Sequence, residues 1–162
     1  MRQFKRVIFA SGNGVSRAPM AAALLKEQLK EEGFSDIEVI SRGLIVQFPE
    51  PLNQKVEAVM ASNGLTWDGF AAEELSDEDI TDDTVIFVME EKRRQQVIEK
   101  YDRAHETNVF LLSAYVGDEL EIMNPYGENL QIYGMCFEVI RETVKKLVPL
   151  LTDRNLTTIW GI

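Results

Sequence analysis

The chain has 162 residues, 45% of them apolar and 27% charged, which is enough for one domain over 1–162 with a proper core. Its formal net charge of −10 argues against nucleic acid and anionic membrane surfaces as main partners, and any site for an anion must work by a local field against an unfavourable global one. The single cysteine, Cys136, allows no intramolecular disulfide and fits a reducing cytoplasm, and no run approaches the roughly 18–20 apolar residues of a membrane span.

Arg2, Lys5 and Arg6 precede an apolar run too short for a signal peptide. That run, Val7-Ile8-Phe9-Ala10, reads as the first strand. A glycine-containing loop follows, and then a helix from Pro19 to about Glu32. Ala21, Leu24, Leu25 and Leu29 share one face of it, and Gly33 marks its stop. Ile37 to Ile40 predicts the second strand. After a loop with Pro49 and Pro51, a helix from about Asn53 to Asn63 buries Val56, Val59 and Met60. Ser76-Asp77-Glu78-Asp79 has the form of a capping box. Val85 to Val88 is a continuous apolar run, expected of a strand covered on both faces.

A charged helix from Glu91 to about Tyr101 and a fourth strand, Val109 to Leu112, follow. The last helix begins near Glu128 and carries Leu130, Tyr133, Phe137, Ile140, Val144, Leu147 and Val148 on one stripe, with Pro149 expected to end or kink it. Residues 152–162 form a possible C-terminal extension in which Ile159, Trp160 and Ile162 either fold back or mark a partner surface. Alternating strands and helices predict a three-layer α/β/α fold around a four-stranded parallel sheet. Ligands of such sheets sit at the carboxyl ends of the strands.

The segment Ser11-Gly12-Asn13-Gly14-Val15-Ser16-Arg17 lies at such an end. Strand, loop and helix together aim backbone N–H groups at one point, where the positive end of the helix dipole suits a phosphate. Arg17 adds a planar fork able to grip two oxygens. The phosphate-binding set is therefore Gly12, Asn13, Gly14, Val15, Ser16 and Arg17.

The stretch from Ser11 to Ala21 resembles the low-molecular-weight protein tyrosine phosphatases, whose loop has a cysteine, five residues, an arginine, Ser or Thr, then usually Pro-Met-Ala. Ser41-Arg42-Gly43-Leu44, Ile86-Phe87-Val88-Met89 and Asn124-Pro125-Tyr126-Gly127 resemble the family's second-strand turn, third strand and Asp-Pro-Tyr loop. The resemblance covers most of the chain and implies the same four-stranded fold. It also implies site roles: Ser11 at the nucleophile position, Arg17 as the phosphate-binding guanidinium, Asn124 at the general-acid position and Tyr126 at the rim. Tyr126 is equally readable as a ring wall for an aromatic substrate or as a half-buried turn aromatic, and Asn124 as a plain turn residue.

Departures from the family pattern bear on the chemistry. A serine hydroxyl stays protonated where a thiolate would form, and the loop holds no base for it. An amide cannot donate the leaving-group proton, a contribution typically worth ~10²–10⁴-fold. Ala18 replaces the hydroxyl residue after the arginine, Ser16 the second loop cysteine, and Phe70 to Glu74 a usually polar and basic stretch. A single Cys-to-Ser exchange is how a trapped enzyme is engineered, but three simultaneous losses fit a natural chain. The reading is a pseudophosphatase that binds phosphate or a phosphorylated protein or small molecule. Its alternatives are a phosphomonoesterase, weak through Ser11 or with Ser11 an engineered replacement, and a ligand-free interaction domain. Enzyme status is thus left open.

Arsenate reduction needs further cysteines. Cys136 is expected to be a buried free thiol, His105 a solvated connector, and the acidic pairs Asp82-Asp83 and Glu90-Glu91 solvated element ends. No metal site and no cofactor is expected.

Overall fold

Six residues, Arg6–Ser11, form β1, and every side chain from Val7 to Ser11 is buried. A strand buried on both faces belongs in the middle of a sheet. In the computed structural model, which describes residues 3–152, β1 pairs in parallel with β2 (Glu38–Gly43) on one side and β3 (Thr84–Val88) on the other. β4 (Val109–Leu111) pairs with β3, giving the order β2-β1-β3-β4 with all strands parallel.

The two-residue period of the strands sorts the core into two layers. Val7, Phe9, Val39, Val85 and Phe87 point to one face, where α1 (Arg17–Glu31), α2 (Gln54–Ser62) and α5 (Leu130–Thr152) cover them. Ile8, Ala10, Ile86, Val88 and Val109 point to the other face, against Val97 of α3 (Glu91–Lys100), Leu75, Ile80 and Tyr101. The result is the expected three-layer α/β/α architecture. Its helix faces agree with the sequence pattern too: Ala21, Leu24, Leu25 and Leu29 of α1 are buried, and the capping box at Ser76 and Asp79 opens a 3-10 turn, Asp77–Asp79.

Four details differ from expectation. β2 runs on to Gly43, because its last residues pair with Phe9, Ala10 and Ser11 of the central strand. Leu112–Tyr115 forms a short helix, α4, rather than a strand end, and packs Tyr115 edge-on to Phe87. α5 starts at Leu130, because Asn129 accepts the Ile132 N–H and so caps it, which leaves Leu130 itself 51% exposed. Pro149 does not end α5 at its own position: it stands in the last turn, and the helix continues to Thr152. Val148 and Leu151 on either side stay buried against the core, while Pro149 faces solvent, where the carbonyl it leaves unpaired can be hydrated. The apolar tail with Ile159, Trp160 and Ile162 lies outside the described residues.

Candidate active site

The carboxyl ends of β1 and β2 are held unusually close. Gly14 adopts φ +76°, and a Cβ there would stand 2.8 Å from both Cα and N of Gly43. On Gly43 a Cβ would meet Val46 at 2.4 Å and the Asn13 carbonyl oxygen at 2.9 Å. Two glycines thus let the 11–17 loop rest directly on the end of β2. Loop carbonyls are turned outward by the same contact: Leu44 N–H donates to the Ser11 and Gly12 oxygens and Ile45 N–H to Gly12. Asn53 N–H donates to the Val15 oxygen. Among the described residues no protein acceptor is assigned to the amides of Gly12, Asn13, Gly14, Ser16 or Arg17, while Val15 N–H makes a long 3.3 Å bond to Asn13 Oδ1. Gly14→Ala is expected to cost about 2–4 kcal/mol by combining left-handed strain with a backbone clash. The midpoint of urea unfolding reads that loss.

Arg17, the first residue of α1, is only 3% exposed. Its Nη1 donates to the Ile122 carbonyl at 2.7 Å, and its Nη2 lies 3.2 Å from Glu90 Oε1. The first contact ties the loop bearing Asn124 and Tyr126 to the cradle. Glu91 N–H, donating to Glu121 at 2.9 Å, ties the same loop to α3. Ser11 is buried, and its Oγ accepts the Ala18 N–H at 3.3 Å.

A cleft of about 730 Å³ brings Ser11, Gly12, Asn13, Val15, Ser16 and Arg17 together with Asn124 and Tyr126, although the last two are more than a hundred residues away in sequence. Gly14 is absent from its lining because it faces Gly43. Asn124 Oδ1 is engaged in a turn, accepting the Tyr126 N–H at 3.1 Å. Tyr126 is 77% exposed, so it is not the half-buried aromatic that one reading of the sequence allowed. Ile45 and Phe48, each 58% exposed, continue an apolar rim with Pro51.

Glu90, Arg93 and Glu50 were not singled out from sequence as site residues. Glu90 is not a solvated end: its side chain is 23% exposed and approaches Arg17, Lys92 and Arg93. The available signal was position, since Glu90 follows β3 directly and β3 neighbours β1. Arg93 lines the cleft from the first turn of α3, and Glu50 lines another wall.

His105 is exposed between α3 and β4. Cys136 is buried on α5, and burial pushes its thiol up to about 11, against a smaller opposing pull from Arg17. Alkylation of the native protein at pH 8 should therefore be negligible and become rapid on unfolding. Because the folded value lies above the unfolded one near 9.0, the thiol's stabilising contribution is full below pH 9 and is lost as pH rises towards about 11. Among the described residues no cluster of three or more His, Cys, Asp or Glu could hold a metal ion, and no helix is long and apolar enough to cross a membrane.

A parallel α/β sheet thus carries, at its carboxyl edge, a loop of amides without assigned acceptors among the described residues, a buried arginine and a rim loop. Residues 6–157 match the family described as low molecular weight phosphotyrosine protein phosphatase, and the chain belongs to that family. The low molecular weight protein-tyrosine-phosphatase PtpB of Staphylococcus haemolyticus is 25% identical over 142 residues, covering 88% of this chain and 96% of that protein. The protein-arginine-phosphatase of Bacillus subtilis is 24% identical over 151 residues, covering 90% and 95%. Among solved structures, a Cys-to-Ser mutant of the YwlE arginine phosphatase with a phosphorylated active-site serine superposes with a TM-score of 0.84, at 24% identity over 93% of this chain and 99% of that one.

Proposed function

We propose that this chain is a catalytically impaired member of its family that binds phosphate, or the phosphate of a phosphorylated protein or small molecule, through the 11–17 loop. One observation carries the reading: among the described residues, loop amides without protein acceptors share a cleft with a buried guanidinium held by Ile122 and Glu90. Arginine has five N–H donors, and the bonds to Ile122 and Glu90 engage two of its nitrogens, so donors remain for an oxyanion. Ser11 would donate from the floor of the loop, with Asn124 and Tyr126 at the rim. The reading needs neither metal nor cofactor, and a reducing cytoplasmic setting suits it.

The chemistry is what the residues withhold. Ser11 stays a protonated hydroxyl at neutral pH, and Glu90, the carboxylate that reaches the loop's arginine, is paired with Arg17. His105 lies in an exposed connection, and the Asn124 amide has no proton to give to a leaving oxygen. Titration of inorganic phosphate, followed by backbone amide NMR, should give saturable shifts at residues 12–17. Hydrolysis of an aryl phosphate should stay at the buffer rate. Brisk turnover that Ser11→Ala abolishes would overturn the proposal.

A second reading, a slow phosphomonoesterase working through Ser11, is favoured by the phosphatase family itself. An active-site serine also carries a phosphoryl group in the YwlE mutant described above. It requires Ser11 to gain the mass of one phosphoryl group on incubation with an aryl phosphate. A third reading, a ligand-free interaction domain, rests on the Arg17–Glu90 ion pair and requires that phosphate shift no loop amide.

A further inference from the structure

A second guanidinium stands beside the cradle. Arg93 is half-buried, and a Cβ on Gly12 would lie 3.8 Å from its Nη2. Its Nη1 donates to Gln96 at 3.1 Å, and its Nε is 3.9 Å from Glu90 Oε1, too far for a hydrogen bond. Nε is a buried donor without an acceptor among the described residues, and because it is closed off, Nη2, the nitrogen that faces Gly12, is the side of the guanidinium a ligand can meet. Glu90 cannot satisfy both guanidinium groups equally, because its Oε1 is already closer to Arg17.

Arg93 also opens a second groove of about 240 Å³, floored by Leu44, Val97 and Tyr101 and edged by Gln96 and Lys100. Ile45 and Arg93 line both cavities, so the groove continues the cleft. Residues 93, 96, 97 and 100 recur at helical spacing, which puts them on one face of α3. From Arg93 to Lys100 the helix rises about 10 Å, the reach of roughly three extended residues. No ion pair is assigned to Lys100 among the described residues. On a chain of net charge −10, Arg93 and Lys100 put two cations along this groove, with Glu90 facing Arg93 and Lys100 Nζ 5.3 Å from the centre of the Tyr101 ring.

Resting on the phosphate-binding reading above, we infer that the α3 groove takes an acidic segment flanking the phosphorylated residue of a peptide. The phosphate sits in the 11–17 loop. A carboxylate within about three residues meets Arg93, and a further one meets Lys100. The apolar floor accommodates the intervening backbone and side chains, and the groove length favours a peptide over a compact small molecule.

Two phosphotyrosyl peptides test this, one with alanines and one with aspartates flanking the phosphorylated residue, titrated calorimetrically alongside inorganic phosphate. The acidic peptide should bind the unaltered chain about 5- to 10-fold more tightly than the neutral one, the gain expected from partly exposed charge-assisted contacts. That ratio should collapse towards one in Arg93→Gln/Lys100→Gln, fall below one in Lys100→Glu, and narrow near 1 M salt, where screening acts within about 3 Å. Equal binding of the two peptides, or a ratio unchanged in the double variant, overturns the inference while phosphate binding leaves the loop reading standing. Tighter binding of fructose 1,6-bisphosphate than of the acidic peptide overturns it in favour of a small dianion. If inorganic phosphate fails to bind as well, the loop reading falls and the inference with it.

Discussion

Ser11→Cys combined with Asn124→Asp should raise the hydrolysis of phenyl phosphate by at least about 10³-fold over the unaltered chain, with each single change recovering far less. Two separate deficits underlie this. At position 11 the amide cradle and the start of α1, whose Ala18 N–H already reaches the side chain, would stabilise a thiolate where they cannot ionise a hydroxyl. At position 124 a carboxylic acid would restore proton delivery to the leaving oxygen, worth ~10²–10⁴-fold by itself. An aspartate can keep the turn bond that Asn124 makes to Tyr126 N–H, because one of its two oxygens is enough for it. Phenyl phosphate is the telling substrate, since its leaving group is poor and needs the proton. With p-nitrophenyl phosphate the single Ser11→Cys change should recover a larger share. Equal kcat/KM for Ser11→Cys and the double variant on phenyl phosphate would mean that residue 124 does not reach the leaving oxygen. Silence of the double variant on both substrates would mean that the loop is not in a geometry able to support attack.

The sequence made the loop legible for a local reason: a buried strand, two glycines, an arginine and a proline-started helix each constrain the backbone within a few residues. The layers of the fold were readable for the same reason, since the apolar runs at Val7 and Val85 and the helical stripes each report their own burial. Glu90 and Arg93 were not legible. Viewed along the chain they belong to a charged helix start, and only the strand order puts β3 next to β1, with Ala10 opposite Val88, so that the residues after β3 open onto the loop. Ile45, Phe48 and Glu50 were hidden likewise, in a connection whose path depends on the Gly14–Gly43 contact. Pro149 shows the reverse case, in which a helix runs on past a proline while Val148 and Leu151 on the same turn stay buried.

Arg17→Ala should abolish measurable phosphate binding, a loss of about 10²-fold or more, whereas Glu90→Gln should weaken the free protein and make it respond more strongly to phosphate. Arg17 is a buried cation lining the cleft, and a guanidinium–phosphate contact desolvated to this degree is among the stronger polar interactions available. Glu90 plays the complementary part: its carboxylate neutralises Arg17 when no anion is present. Removing one partner of a buried ion pair costs about 3–5 kcal/mol. The side chain of Glu90 is 23% exposed and Arg17 keeps its bond to Ile122, so about 1–3 kcal/mol is expected here. A bound phosphate would supply the missing negative charge, so the variant should lose less stability in its presence than in its absence. By linkage, the rise in Tm produced by a fixed phosphate concentration should then be larger for Glu90→Gln than for the unaltered chain and absent for Arg17→Ala. A phosphate-induced rise that survives Arg17→Ala would place the anion elsewhere on the molecule. A smaller rise in Glu90→Gln would mean that the carboxylate orients the guanidinium for the ligand more than it competes with the ligand for it.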